Sequence, residues 1–224
     1  MTDDGLDSLV EGLQKQINAS SESSKPTTTS ATALIVSCSM AQCRHEPLLW
    51  PIEPSWQTSA VKTLGSQTWE SRNGQQVVDE TLTHLTATQD VQAVVVIGHT
   101  ACRVVADAYK RVVVPTEPQP GCKSRLNSLV SLVEEAIESN VVDESLSVRQ
   151  ACPRLVEYSI VRQVEFLTDQ FPPTVTVVGY VYDQSGVYGS FPDKQYLVTV
   201  DGETTDLDSR VRDNEQISVG SLLS

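Results

Sequence analysis

The run VQAVVVIG at 91–98 constrains this chain more than any other stretch. It is aliphatic, uncharged and far shorter than the roughly 20 residues of a membrane span. Polar residues bound it on both sides, so it reads as a strand buried on both faces, the pattern of a parallel sheet. ALIVS at 33–37 reads as a second buried strand, and SQTWESR at 66–72 is a further strand candidate. TVTVVGYVYD at 174–183 reads as the last core strand, and KQYLVTVDGETTDL opens as an edge strand before a polar turn. Helical spacing separates these runs. GQQVVDETLTHLTATQ places Val77, Val78, Leu82 and Leu85 on one stripe, and a helix is expected over Ala101–Arg111. RLNSLVSLVEEAIES is amphipathic, and CPRLVEYSIVRQVEFLTDQF reads as a helix with Pro153 near its first turn, where proline is tolerated. Strands alternating with helices predict an α/β fold with a mainly parallel sheet flanked by helices.

The domain is expected over 33–224. Ahead of it, Leu6, Leu9, Val10, Leu13 and Ile17 form an apolar stripe on an amphipathic N-terminal helix over 1–18. A Ser/Thr-rich stretch at 19–32 has too few apolar residues to pack and reads as a flexible linker. The 16 Lys and Arg against 29 Asp and Glu leave a formal charge of −13, which repels phosphate backbones and argues against a nucleic-acid partner. Such acidity suits either a high-salt host or an ordinary acidic soluble protein. The start MTDDGLDSLV is acidic and unlike a signal peptide, and no run is long and apolar enough to span a membrane. Five cysteines at 38, 43, 102, 122 and 152 lack the spacing of a disulfide framework. Together these predict a reduced, cytoplasmic setting with thiols free for metal or chemistry.

Parallel sheets collect ligands at the carboxyl ends of their strands. Here ALIVSC delivers Cys38, and VVVIGHTAC delivers His99 and then Cys102. Thiolate sulfur and imidazole nitrogen suit tetrahedral zinc, and three protein ligands leave a fourth corner open. On spacing alone, the alternative of a buried cysteine and a helix-capping histidine stays open.

CSMAQ at 38–42, SRNGQQVV at 71–78 and VVVIGHTACRVV at 94–105 together resemble the zinc-site segments of beta-class carbonic anhydrases. EYSIVRQVEFL and VVGYVYDQSGVYG resemble that family's late helix and closing strand. The resemblance runs over roughly 33–190, with its segments in the family's order. It implies a zinc ion held by Cys38, His99 and Cys102, a dimeric or larger homo-oligomer, and reversible hydration of carbon dioxide to bicarbonate by zinc-bound hydroxide. Arg72 and Asn73 match scaffold positions of the family.

The departures bear on activity. The family pattern Cys-x-Asp-x-Arg here carries Met40 in place of Asp and Gln42 in place of Arg. Arg103 replaces a glycine that often follows the second cysteine, and Gly74 directly follows Asn73. A thioether is a weak acceptor and cannot replace a carboxylate that orients the nucleophile. No catalytic residue is assigned. Ser39 and Arg103 are the nearest candidates for polar support behind the ligands, and hydration is expected to be slower than with the intact pair. The alternative is a catalytically impaired zinc module that binds bicarbonate or another small anion in a regulatory role. Cys43 and Glu46 are minor candidates for a fourth ligand. His45 reads as a loop residue, His84 as a surface residue, Cys122 and Cys152 as structural. Trp50, Trp56 and Trp69 read as core or interface residues, and YDQSG with Asp183 as a turn.

Overall fold

The fold is seen in a computed structural model, which describes residues 31–41, 50–72, 75–114, 123–189, 191–211 and 217–223. The expected N-terminal helix and nearly all of the linker lie outside the described residues. Strand β1 (Thr32–Cys38) is buried along its whole length and begins one residue inside the expected linker. Strand β2 (Gln57–Thr63) follows, then a single 3-10 turn and strands β3 (Trp69–Arg72) and β4 (Gln75–Val78). Helix α1 (Glu80–Thr88) leads into β5 (Val91–His99), α2 (Arg103–Val113), α3 (Lys123–Glu138) and α4 (Val148–Gln170). Strands β6 (Thr176–Asp183) and β7 (Lys194–Val200), the short helix α5 (Leu207–Arg210) and the two-residue strand β8 (Ser218–Val219) complete it.

Six strands form one sheet in the order β2-β1-β5-β6-β7-β8, and β3 and β4 make a separate antiparallel pair. The first four strands of that order run parallel. Strand β7 is antiparallel to β6 and parallel to β8. The α/β architecture with a mainly parallel sheet is therefore as expected.

Alternation along the strands sorts the core into two unequal layers. Leu34, Val36, Val94 and Val96 face the larger cluster, which takes in buried residues of α1 to α4. Ile35, Val95, Ile97 and Tyr180 face the smaller one, closed by Leu207, Val211 and the partly buried Trp50 and Ile52. Helix α4 lies against the sheet because two glycines make room for it. A Cβ on Gly98 would stand 2.7 Å from Val156 Cγ1, and one on Gly179 2.6 Å from Ile160 Cγ2.

Four expectations need correction. Val77 and Val78 lie in β4 rather than on a helix, because the Asp79 side chain accepts the Thr81 N–H and starts α1 only at Glu80. Helix α4 starts four residues earlier than expected, at a cap where Ser147 N and Oγ both donate to Gln150 Oε1. Pro153 consequently sits in its second turn. Strand β7 is not a bare edge, since β8 pairs with it and residues 196–200 are buried. Strand β2, QTSAVKT, has no counterpart in the sequence reading, because an exposed edge strand of polar residues carries little apolar signal.

Candidate metal centre

Strand order brings the site together. Strands β1 and β5 are neighbours in parallel register, with Ser37 opposite Ile97, so Cys38 and His99 emerge at the same end of the sheet. A tight turn follows His99, in which Cys102 N donates to His99 O at 3.1 Å, and Cys102 then caps α2. The potential ligand atoms of Cys38, His99 and Cys102 all lie within 4.8 Å of one another, and all three residues are buried. The two sulfurs are 3.9 Å apart. Two thiolates about 2.3 Å from a tetrahedral zinc stand about 3.8 Å apart, so the spacing fits that ion.

The histidine supports the same reading. Its Nδ1 lies 3.0 Å from Gln184 Oε1, whereas its Nε2 is buried beside the sulfurs and, among the described residues, has no nitrogen or oxygen partner. Buried polar atoms are almost always paired, and a cation is the partner that an imidazole nitrogen near two sulfurs lacks.

The two sulfurs hydrogen-bond to each other, and their thiols shift in opposite directions. Hydrogen bonding from Cys102 pulls the Cys38 thiol down to about 4 against the effect of burial, helped by His99 and the backbone N–H groups of Met40 and Gly65. Cys102 is pushed up by its bond to Cys38, by burial and by the Cys38 charge, while the N–H groups of Val105 and Val104 oppose this. Two sulfur anions this close repel strongly in a buried site, and a divalent cation removes that repulsion. Gly65 adopts a φ of +66°, the left-handed conformation that glycine takes readily.

Met40 is 54 % exposed beside the site, and its N–H lies 3.4 Å from the Cys38 sulfur. Ser39 is exposed and donates its N–H to Thr63 O. Arg103 is exposed at the first residue of α2. Gln42, Cys43, Arg44, His45 and Glu46 lie outside the described residues, as do Asn73, Gly74 and Cys122. Arg72 is paired with Glu70 and Glu80 at the surface, and His84 is exposed on α1. Trp69 is buried edge-on against Phe166 at 5.2 Å, while Trp50 and Trp56 are half-buried. Cys152 is buried, donates to Cys102 O at 3.4 Å and is pushed up to about 11 by desolvation. A cavity of about 590 Å³ opens beside Cys102, with Leu146, Val148 and Val187 among its walls and Arg149 and Arg154 beside them.

The sequence reading missed Gln184 and Thr100. The signal was the register of β5 against β6, which sets His99 opposite Tyr182 and brings the polar turn after Asp183 alongside the histidine.

No family model and no curated protein matches this sequence. Solved structures do match. The beta-carbonic anhydrase CafA of the fungal pathogen Aspergillus fumigatus aligns at TM-score 0.53 and 19 % identity, over 96 % of this chain and 100 % of that one. A Coccomyxa beta-carbonic anhydrase in complex with acetazolamide aligns at TM-score 0.51 and 18 % identity, over 79 % and 81 %. The chain has the beta-carbonic anhydrase fold.

Within the beta-carbonic anhydrase fold, Cys38, His99 and Cys102 form a metal-capable Cys-His-Cys group. No helix among the described residues is long and apolar enough to cross a membrane.

Proposed function

We propose that this chain is a zinc protein of the beta-carbonic anhydrase type that hydrates carbon dioxide reversibly, at a lower rate than the intact Cys-x-Asp-x-Arg pattern would allow. The observation that carries the reading is the convergence of two sulfurs and an unpartnered imidazole nitrogen at the carboxyl end of that fold's sheet. Zinc bound there would supply the Lewis acidity that activates water near neutral pH.

The chain's own residues set how well that works. Cys38 and Cys102 offset the ion's two positive charges, which weakens its pull on water. Backbone N–H groups from Met40 and Gly65 on one sulfur, and from Val104 and Val105 on the other, draw charge back from the thiolates. Met40 has no charge and no strong acceptor, so nothing at that position aligns a nucleophile or holds a proton.

That same residue favours the second reading, a zinc module that binds bicarbonate or a similar anion as a regulator. Either reading goes with a cytoplasmic homodimer or larger homo-oligomer. Metal analysis and stopped-flow hydration of the wild type and the Met40→Asp, Gln42→Arg double variant test both. Restoring the pair is expected to raise turnover at least about tenfold, the scale of lost support around a metal. A wild type that the double variant does not improve would defeat the reduced-activity reading. Bicarbonate binding without hydration in either protein would select the regulatory one.

A further inference from the structure

The second ring nitrogen of His99 reaches a structure outside the candidate ligand set. Its Nδ1 meets the side chain of Gln184, the first residue past β6. We propose that Gln184 is the positioning residue that fixes His99 with its hydrogen on Nδ1 and its lone pair on Nε2, toward the two sulfurs. The proposal rests on the metal centre argued above.

An amide oxygen only accepts, so a hydrogen bond from His99 to Gln184 Oε1 requires the hydrogen on Nδ1. The opposite arrangement, with the Gln184 amide donating to Nδ1, would put the hydrogen on Nε2. That N–H would stand beside the two sulfurs and offer no lone pair to a cation there. The first arrangement leaves a lone pair where the sulfurs converge, and only that form can join them around a cation.

Gln184 is held in turn. Its backbone N–H donates to Thr100 Oγ1 at 3.0 Å, and Thr100 Oγ1 donates to Asp183 Oδ1 at 3.2 Å. The Asp183 carboxylate is fully buried and also accepts the N–H of Ser185 at 3.1 Å and of Tyr188 at 2.9 Å. Thr100 itself donates its N–H to Tyr182 O. The turn after β6 is thus tied to the residue that follows His99, and the register between Gln184 and the imidazole is set from both sides. The Gln184 side chain is half-buried, and among the described residues its hydrogen bond is to His99.

The test uses two near-isosteric variants of the full chain. Gln184→Met removes the acceptor, and Gln184→Glu keeps one. Zinc affinity by chelator competition is expected to fall about 10- to 100-fold in Gln184→Met, the loss typical when a ligand's supporting partner goes. Gln184→Glu should stay within a few-fold of the wild type. Long-range nitrogen–proton spectra of the metal-free protein should show the Nδ1–H form of His99 in the wild type and in Gln184→Glu, and a mixture in Gln184→Met. Unchanged affinity and an unchanged tautomer in Gln184→Met would overturn the proposal. So would equal losses in both variants, which would make the role one of packing. A wild type that binds no zinc would remove the metal reading and this proposal's purpose with it. A wild type that binds zinc, with Gln184→Met indistinguishable from it, would remove only the proposal.

Discussion

Cys38 and Cys102 are 64 residues apart in the chain, yet their sulfurs stand 3.9 Å from each other. Two thiolates this close in a buried site repel each other unless a proton or a cation lies between them. We expect the purified protein to carry about one zinc per chain, and Cys38→Ser or Cys102→Ser to lose it in elemental analysis. Stripping the metal should also destabilise the fold. A ligand present at 100 times its dissociation constant stabilises by about 2.7 kcal/mol, so chelation should lower the melting temperature by several degrees at least. Equal melting curves with and without chelator would contradict this.

Gly98 immediately precedes His99 and lets α4 approach the sheet. Gly98→Ala would place a methyl group 2.7 Å from Val156 Cγ1 and 2.8 Å from Ile160 Cγ1. Overpacking of this kind costs about 1–3 kcal/mol. Calorimetry should therefore show a lower melting temperature. A Val156→Ala exchange in the Gly98→Ala background removes the nearest of those atoms and should make the double variant's loss smaller than the sum of the two single losses, as expected for two residues in contact.

Glu157 is a buried carboxylate on α4 that ties down the end of the chain. It accepts from Tyr188 Oη at 2.5 Å, Ser221 Oγ at 2.7 Å and Leu222 N at 2.8 Å. Glu157→Leu strands all three donors, each at a cost of about 1–3 kcal/mol if it stays buried. Denaturant unfolding should show a loss of about 3 kcal/mol or more, and residues 217–223 should become the first site of limited proteolysis.

The tyrosines predict the alkaline limb of stability. Burial is the main force pushing Tyr109, Tyr158, Tyr180 and Tyr188 upward, with Asp143 and Glu144 adding to it at Tyr109, and Glu157 at Tyr188. In the unfolded chain they ionise near pH 10. Folded-state values above unfolded ones mean a contribution fully present below about pH 10 and lost as the pH rises beyond it. Ultraviolet titration of the native protein should show the ionisation of these four tyrosines displaced above pH 10, and unfolding should abolish the displacement.

What the sequence disclosed follows from how the signal arises. Strands β1, β5 and β6 are buried on both faces, so their aliphatic runs stand out, and they happen to be the strands that bring Cys38 and His99 together. Strand β2 sits at the edge with polar residues and leaves no such mark. Val77 and Val78 fit a helical stripe by spacing, and only the cap at Asp79 decides against it. The three potential ligands were suggested by rare residue types at or just past strand ends, and the resemblance to beta-class carbonic anhydrases singled them out. Gln184 could not, because its role depends on the register of β5 against β6, a pairing across 85 positions of chain.

The four long helices pack against one face of the sheet, and two of the potential ligands, Cys38 and Cys102, belong to the buried layer they form with it. Met40, by contrast, lies exposed outside it. Substitutions at position 40 can therefore accumulate at little cost to folding or to the ion cage. A lineage built this way can trade one reaction for another, or abandon chemistry altogether, while keeping its Cys-His-Cys cluster.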